Sequence, residues 1–108
     1  MKFCPWYPLE DAGRHTPVGE GILQVRLAAG LLDYPRGKSA MVWYQHATQL
    51  RAAALALAAA HTGQALVCRH LIEFADATDL AAFHAKVTSE FVRRFGTAPR
   101  LQNAEPAR

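Results

Sequence analysis

The segment QALVCRHLIEF, residues 64–74, limits most strongly what this chain can fold into. It is rich in bulky and β-branched side chains, and Gly63 precedes it as a turn residue would precede a strand. Because successive side chains of a strand point to opposite sides, a strand here presents two different rows. One row is Leu66, Cys68, His70 and Ile72, and the other is Val67, Arg69 and Leu71. The segment therefore predicts one strand of a sheet.

Two earlier segments predict further strands. Residues 39–45, SAMVWYQ, combine β-branched and aromatic side chains that favour strands. Residues 21–28, GILQVRLA, alternate apolar and polar side chains, which is typical of a half-buried strand. The apolar row of this segment is Leu23, Val25 and Leu27, and the polar row is Gln24 and Arg26. Residues 31–34, LLDY, can form a short strand between these two, which Pro35 and Gly37 would end.

Two segments predict helices. Residues 49–61, QLRAAALALAAAH, repeat apolar side chains at helical spacing, and Gly63 follows as the expected end. Because most of these side chains are alanine, this helix can lie close against a sheet. The second helix begins after Thr78 or Asp79, either of which can cap it, and ends at Gly96. Its apolar stripe, at spacings of three and four residues, is Leu80, Phe83, Val87, Phe91 and Phe95.

The order strand, strand, helix, strand, helix predicts an α+β fold with a small, mostly antiparallel three-stranded sheet flanked by helices. Residues 1–16 are expected to form an irregular N-terminal arm, because prolines and glycines interrupt them. Residues 17–102 are expected to form a single domain and residues 103–108 a loose tail. The composition agrees with one folded domain, since 51% of the 108 residues are hydrophobic. We expect the side of the sheet opposite the alanine-rich helix to stay free to meet a ligand.

Charge and cysteine content limit the possible partners and compartments. A formal net charge of +3 tolerates a polyanion, but it is not the concentrated basic stripe of a dedicated nucleic-acid binder. Cys4 and Cys68 are far apart and lack zinc-ligand spacing, which favours a reducing compartment. The longest apolar run, residues 52–60, is too short to span a bilayer, and residues 1–8 do not resemble a signal peptide. The cytoplasm, without membrane contact, is therefore expected.

The tripeptide Gly37-Lys38-Ser39 is reminiscent of a nucleotide-phosphate loop. Such a loop needs four residues between its first glycine and the Gly-Lys pair, and it leads into a helix. Here six residues separate Gly30 from Gly37, and the segment leads into a predicted strand. The sequence therefore favours Gly37 as a turn residue and Lys38 as an exposed cation.

Several segments, in order, resemble those of the GIY-YIG nuclease domain, a family that includes excision-repair and homing endonucleases. They are PVGEGIL at 17–23, VWYQHA at 42–47, TQLR at 48–51 and EFVRRF at 90–95, which runs on into APRLQN. The resemblance covers roughly residues 17–102 at the level of order and spacing. It implies DNA as the partner and, if the chain is active, hydrolysis of phosphodiester bonds with Mg²⁺ or Mn²⁺.

The resemblance also implies roles for particular residues. In the family, tyrosines of the first two strands flank the scissile phosphate, an arginine of the next helix steadies the developing charge, and a glutamate of a later helix binds the metal. The first tyrosine falls on Leu23, and the second falls on Trp43 or Tyr44, depending on the alignment frame. Arg51 is the nearest candidate for the arginine, and Glu90 is the nearest acid for the metal.

Other candidate residues are chosen for their own chemistry. His46 follows the aromatic pair, and its imidazole can act as acid or base near neutral pH. The candidate catalytic residues are therefore Tyr44, His46 and Arg51. Cations that can line a sheet face and meet phosphates, unless they are scattered solubilising charges, are Arg26, Arg36, Lys38 and Arg69.

Two functions remain open. The first is a nucleic-acid-binding GIY-YIG-like domain, either a metal-dependent DNA phosphodiesterase with altered catalytic residues or a binder that no longer cleaves. In the active form, Tyr44 or His46 would orient water, Arg51 would contact the phosphate and Glu90 would bind Mg²⁺. The second is a non-catalytic protein-interaction domain on the same scaffold, which Leu23 in place of tyrosine favours and which needs no cofactor. The sequence sets neither the partner nor the oligomeric state.

Overall fold

A five-stranded sheet with helices on both sides forms the centre of the protein. The structure is a computed structural model that describes residues 2–75 and 78–101. In chain order the elements are β1 (Lys2–Phe3), β2 (Tyr7–Pro8), a 3-10 turn (Leu9–Asp11), α1 (Ala12–His15), β3 (Gly21–Leu27), β4 (Leu32–Tyr34), β5 (Gly37–Ser39), β6 (Met41–Ala47), α2 (Leu50–Ala60), β7 (Leu66–Glu73) and α3 (Leu80–Phe95).

The strands of this sheet pair in antiparallel fashion around β3. Leu23 of β3 lies opposite Gln45 of β6 on one side and opposite His70 of β7 on the other. The two short strands β1 and β2 both pair with the outer edge of β7. A shift of register after Val25 leaves Val42 of β6 as an extra residue, which makes a β-bulge. The bulge decides which side chains of β6 share a face with those of β3.

One face of the sheet, named here the α2 face, is covered by helix α2. Leu23 and Val25 of β3 are fully buried there, in one cluster with Leu50 and Ala54 of α2. Alanine keeps the helix close to the strands, as the composition of this segment suggests. The contact is closest at Gly21, where a Cβ atom would lie 2.7 Å from Cδ2 of Leu50.

The opposite face, named the α3 face, is only partly free, contrary to the expectation from the sequence. Ile22 of β3 and Leu71 of β7 are buried there with Leu80 of α3. Phe3 of the N-terminal arm and Phe83 of α3 pack against this cluster. Helix α3 and the arm therefore cover part of this face.

Helix α3 begins and ends where the sequence predicts. The Asp79 carboxylate accepts a hydrogen bond of 3.0 Å from the N–H of Ala82, so Asp79 is the capping residue of the two candidates. Gly96 follows the helix with a φ of +90°, and its N–H donates to the carbonyl oxygen of Val92. Among the described residues, no helix has the length and apolarity that crossing a membrane requires.

The α+β class and the mostly antiparallel sheet are confirmed, but the predicted number of strands is wrong. The main sheet has five strands rather than three, and β4 and β5 form a separate hairpin. The arm expected to be irregular contributes β1 and β2, which are two residues each and too short to show a period. In the hairpin, Pro35 and Arg36 make the turn, and Gly37 begins β5 with a φ of +145°. Residues 103–108, predicted as a loose tail, lie outside the described residues.

Candidate nucleic-acid interface

A basic patch, defined by Gln24, Arg26, Tyr44 and Arg69, lies on the α3 face beyond the apolar cluster. Gln24 pairs in register with Tyr44 of β6 and with Arg69 of β7, so these three side chains lie side by side across the sheet. Arg26 is on the same face because it lies two residues beyond Gln24 on β3. The Nε of Arg69 donates a hydrogen bond of 2.8 Å to Oε1 of Gln24, which fixes the guanidinium over the sheet.

Trp6 of the arm holds the two arginines of the basic patch together. The guanidinium carbon of Arg26 lies 4.1 Å from the centre of the Trp6 ring, and that of Arg69 lies 4.5 Å from it. The ring of Phe3 is 4.6 Å from Arg69. Both distances to Trp6 are in the range of cation–π contacts, which stabilise arginine on an aromatic ring. Trp6 and Phe3 of the N-terminal arm thus position two positive charges on one surface.

The two arginines have no acidic partner within the described residues, where the ion pairs involve other side chains. Burial lowers the pKa of the Arg69 guanidinium, and the like charge of Arg26 lowers it further. The Arg69 guanidinium nevertheless stays charged at neutral pH, because arginine ionises so far above it. Two uncompensated positive charges held close together form a site that an anion would stabilise.

A groove of about 420 Å³ continues the basic patch between the sheet and helix α3. Its lining includes Gln24, Tyr44, Lys86, Glu90 and Arg94. Lys86 and Arg94 bring further positive charge to the groove. Arg93 also lines it, but its guanidinium donates to Oε1 of Glu90 at 2.6 Å. The patch and the groove form one continuous, mostly cationic surface through Gln24 and Tyr44.

Tyr44 is placed to donate a hydrogen bond rather than to accept a proton. Burial raises the pKa of its phenol above the ordinary value, and the charge of Arg69 opposes this only in part. The phenol is therefore protonated at neutral pH. Its ring packs edge-on against Phe91, with the ring centres 5.8 Å apart. Tyr44 can thus bind a phosphate oxygen, whereas the role of a base would require its ionised form.

The predicted catalytic residues do not converge on this groove. Tyr44 and Glu90 line it together, but Arg51 belongs to α2, on the other face of the sheet. There the Nε of Arg51 donates a hydrogen bond of 2.7 Å to the carbonyl oxygen of Thr16. His46 lies on β6, where its Nε2 is 2.6 Å from Oε2 of Glu20. The imidazole is therefore already engaged by a carboxylate.

The strand register bears on the two alignment frames that the predicted resemblance leaves open for the second motif. Tyr44 lies opposite Gln24, while Trp43 lies opposite Val25 and packs with Leu23 on the α2 face. The two family positions can share a face only if the second one is Trp43. Neither Leu23 nor Trp43 has a hydroxyl group, and the indole N–H donates to Oε1 of Gln45 at 2.9 Å. The face that carries Arg51 therefore lacks both tyrosines of the family.

The residues present do not fit a Mg²⁺ or Mn²⁺ site. The carboxylate of Glu90 is exposed and bonded to Arg93, and this hydrogen bond lowers the pKa of the carboxyl group. A hard divalent ion prefers several oxygen ligands, usually including more than one carboxylate. Among residues 2–75 and 78–101, no group of three or more His, Cys, Asp or Glu side chains is arranged to hold a metal ion. To bind such an ion, Glu90 would have to break its hydrogen bonds to Arg93 and would then act as a single carboxylate ligand.

Two of the four predicted nucleic-acid contacts, Arg36 and Lys38, lie in the β4–β5 hairpin instead of on the sheet. The guanidinium of Arg36 donates to the carbonyl oxygens of Val92 and Arg93 at the end of α3. Lys38 forms an exposed ion pair of 3.5 Å with Asp33. Sequence reasoning also missed Trp6, Lys86 and Arg94. In the sequence, the apolar stripe of α3 draws attention away from Lys86 and Arg94, which lie between its members. No local pattern indicates where Trp6 packs.

Comparison with family models, with curated proteins and with solved structures finds no match to this chain. The GIY-YIG resemblance therefore rests on the order and spacing of its own segments and stays a prediction.

Proposed function

We propose that this chain is a DNA-binding module that contacts the phosphate backbone with the basic patch. The observation that supports this most is the pair Arg26 and Arg69, stacked on Trp6 without an acidic partner among the described residues. Side chains of this type grip phosphate oxygens with two parallel hydrogen bonds. The chain orders both guanidinium groups before any ligand arrives, which lowers the entropy cost of binding.

The groove along α3 extends the proposed interface. Lys86 and Arg94 lie along it, so a strand that crosses the basic patch would continue between two further cations. Tyr44 and Gln24 would contribute neutral hydrogen bonds to the same strand. Contacts of this kind position a nucleic acid without reading its sequence. We therefore expect binding that depends strongly on salt and weakly on sequence.

Binding without cleavage is the form of the GIY-YIG proposal that the geometry favours. The arginine, the tyrosine and the glutamate implied by the family lie on two faces of the sheet, and the carboxylates do not fit a metal site. The scaffold would thus keep the family's partner while the residues for hydrolysis have been replaced. We retain the cytoplasm as the proposed compartment, because Cys4 and Cys68 are both free thiols.

The test is a titration of fluorescent single-stranded and branched DNA at several salt concentrations. In the double variant Arg26→Gln/Arg69→Gln, we expect affinity to fall by about a hundredfold or more, since each of the two charged contacts contributes roughly 1.5–3 kcal/mol. The plot of log affinity against log salt should become shallower by about two units of slope, because two phosphate contacts no longer release counterions.

The matched control is Arg14→Gln/Lys38→Gln, which removes the same charge at exposed positions outside the basic patch. It should leave the salt slope within experimental error. Equal losses in both double variants would mean that only net charge matters. Failure of the unmodified protein to bind any DNA would favour the protein-interaction alternative. Nicking of DNA in Mg²⁺ that Glu90→Ala abolishes would show that the chain cleaves after all.

A further inference from the structure

A second cluster of reactive side chains lies where the arm meets β7, on the α2 face. The N–H of Cys4 donates to the carbonyl oxygen of His70 at 2.9 Å, which ties the two backbones together. The Sγ of Cys4 accepts a hydrogen bond of 3.3 Å from the N–H of His70, and it lies 3.4 Å from Nδ1 of the same residue. A thiol, an imidazole and a backbone N–H are therefore in direct contact.

The cluster opens into a cavity of about 440 Å³, lined by Cys4, Pro5, Trp6, Tyr7, His15 and His70. Cys4 is half-buried and forms part of the cavity wall, so a small molecule in the cavity lies beside this residue. The His70 side chain is only 7% exposed, and within the described residues its Nε2 has no hydrogen-bond partner. The cavity wall thus contains a thiol beside a buried imidazole, and the Nε2 of that imidazole can still bind a ligand.

Hydrogen bonds favour one form of the His70 ring. The Tyr7 hydroxyl lies 2.9 Å from Nδ1 and 2.7 Å from Oγ1 of Thr16. Burial raises the pKa of the Tyr7 phenol, so it stays protonated and can donate to Nδ1. Burial, together with the nearby His15, lowers the pKa of His70, so its ring is neutral near pH 7. Nδ1 then has one lone pair, which accepts from Tyr7 and becomes available to the Cys4 thiol when Tyr7 donates to Oγ1 of Thr16 instead.

The other cysteine provides a contrast within the same chain. Cys68 lies in the core with no exposed surface, and burial raises the pKa of its thiol from 9.0 to about 11. A thiol in that environment is protonated at neutral pH and out of reach of a reagent. Only Cys4 combines access with a neighbouring group that can take its proton.

We propose that Cys4 is a nucleophilic thiol, with His70 as its proton acceptor, that reacts with small disulfides entering the cavity. His70 Nδ1 takes the thiol proton as the Tyr7 hydroxyl turns its own proton from Nδ1 to Oγ1 of Thr16. The N–H of His70 stabilises the negative charge that develops on sulfur. The sulfur of Cys4 then attacks one sulfur of the disulfide, whose S–S bond breaks. The departing thiolate takes the proton from His70. Cys4 is oxidised to a mixed disulfide, and one sulfur of the reagent is reduced to a thiol.

The size and chemistry of the cavity favour this class of reagent. Thiol–disulfide exchange needs a thiol and one group that passes a proton, and the cavity supplies both. Its volume suits a small molecule rather than a polypeptide. The proposal does not rest on DNA binding, because the reacting groups are on the α2 face and the arginines of the basic patch are on the α3 face. Trp6 is common to both, since it lines the cavity and stacks on those arginines.

The experiment exposes the intact protein to glutathione disulfide at pH 7 and locates the modification by peptide mass spectrometry. We expect Cys4 to react at least about tenfold faster in the folded protein than in the same protein unfolded in urea. Cys68 should stay unmodified in the folded protein. Cys68→Ser should keep the rate, and His70→Gln should reduce it about tenfold toward that of the unfolded chain.

The comparison of folded and unfolded protein keeps the test decisive even if His70→Gln fails to fold. A folded-state rate for Cys4 equal to or below the unfolded rate would overturn the proposal. So would equal modification of Cys4 and Cys68 in the folded protein. A folded His70→Gln variant that reacts as fast as the parent would remove His70 from the reaction and overturn its role.

Discussion

The variant Leu23→Ala is expected to lose about 2–5 kcal/mol of unfolding free energy, the range for leucine-to-alanine changes in a core. Leu23 is 0% exposed and lies in the central strand, between β6 and β7. Its side chain belongs to the cluster that joins the sheet to α2. Urea unfolding followed by circular dichroism would measure the loss. A melting temperature lower by roughly 10 °C or more should accompany it.

Leu55→Ala is the matched control, because it makes the same chemical change on α2 at a side chain that is 46% exposed. We expect it to cost less than about 1 kcal/mol. Similar losses in both variants would contradict the assignment of β3 to the core. A large loss at Leu23 alone would show that the position which the predicted resemblance aligns with a tyrosine serves packing in this chain.

Alkaline unfolding should depend on Cys68. The thiol ionises at 9.0 in its ordinary state and at about 11 when folded, so between these values the unfolded chain releases its proton first. Stability that is fully present below pH 9 is therefore lost as the pH rises toward 11. The loss is about 1 kcal/mol per pH unit, or roughly 3 kcal/mol in all. Urea unfolding at pH 8, 9 and 10 would measure it.

In Cys68→Ala, the decline between pH 9 and 10 should disappear, although the variant starts less stable because a core side chain is smaller. Tyr7 and Tyr44 contribute little to the loss of stability between pH 9 and 10. Burial raises the pKa of Tyr7 and that of Tyr44 above their ordinary value of 10.0, so their contributions are lost mainly above that pH. Cys4→Ala should keep the decline. If Cys68→Ala lost stability between pH 9 and 10 as steeply as the parent, the explanation would be wrong.

Local patterns in the sequence were sufficient to predict the longer strands and helices. Burial repeats over many residues in these elements, so the sequence shows a period. Apolar side chains alternate around Leu23 and Cys68, and they form a helical stripe from Leu80 to Phe95. Strands β1 and β2 could not be predicted this way, because a pair of residues has no period. They form because β7 offers an unpaired edge, which is a property of the assembled sheet.

The candidate site was harder to predict because it depends on register. The bulge at Val42 decides that Tyr44, and not Trp43, shares a face with Arg26. Nothing in the local sequence marks that bulge. Arg26 and Arg69 were recognisable as polar members of alternating strands, but their meeting on Trp6 depends on the path of the arm. From charge and spacing alone, Arg26 and Arg69 could not be distinguished from Arg36, which does not lie on the sheet.

The way the arm closes the sheet has a consequence for self-association. Strands β1 and β2 protect the outer edge of β7 with only two residues each, and no covalent link holds them there. A short segment of this kind can leave its own domain and dock on that of another copy, which is domain swapping. Crowded solutions would favour such exchanged dimers, and deletions within the first eight residues would leave the β7 edge open to aggregation.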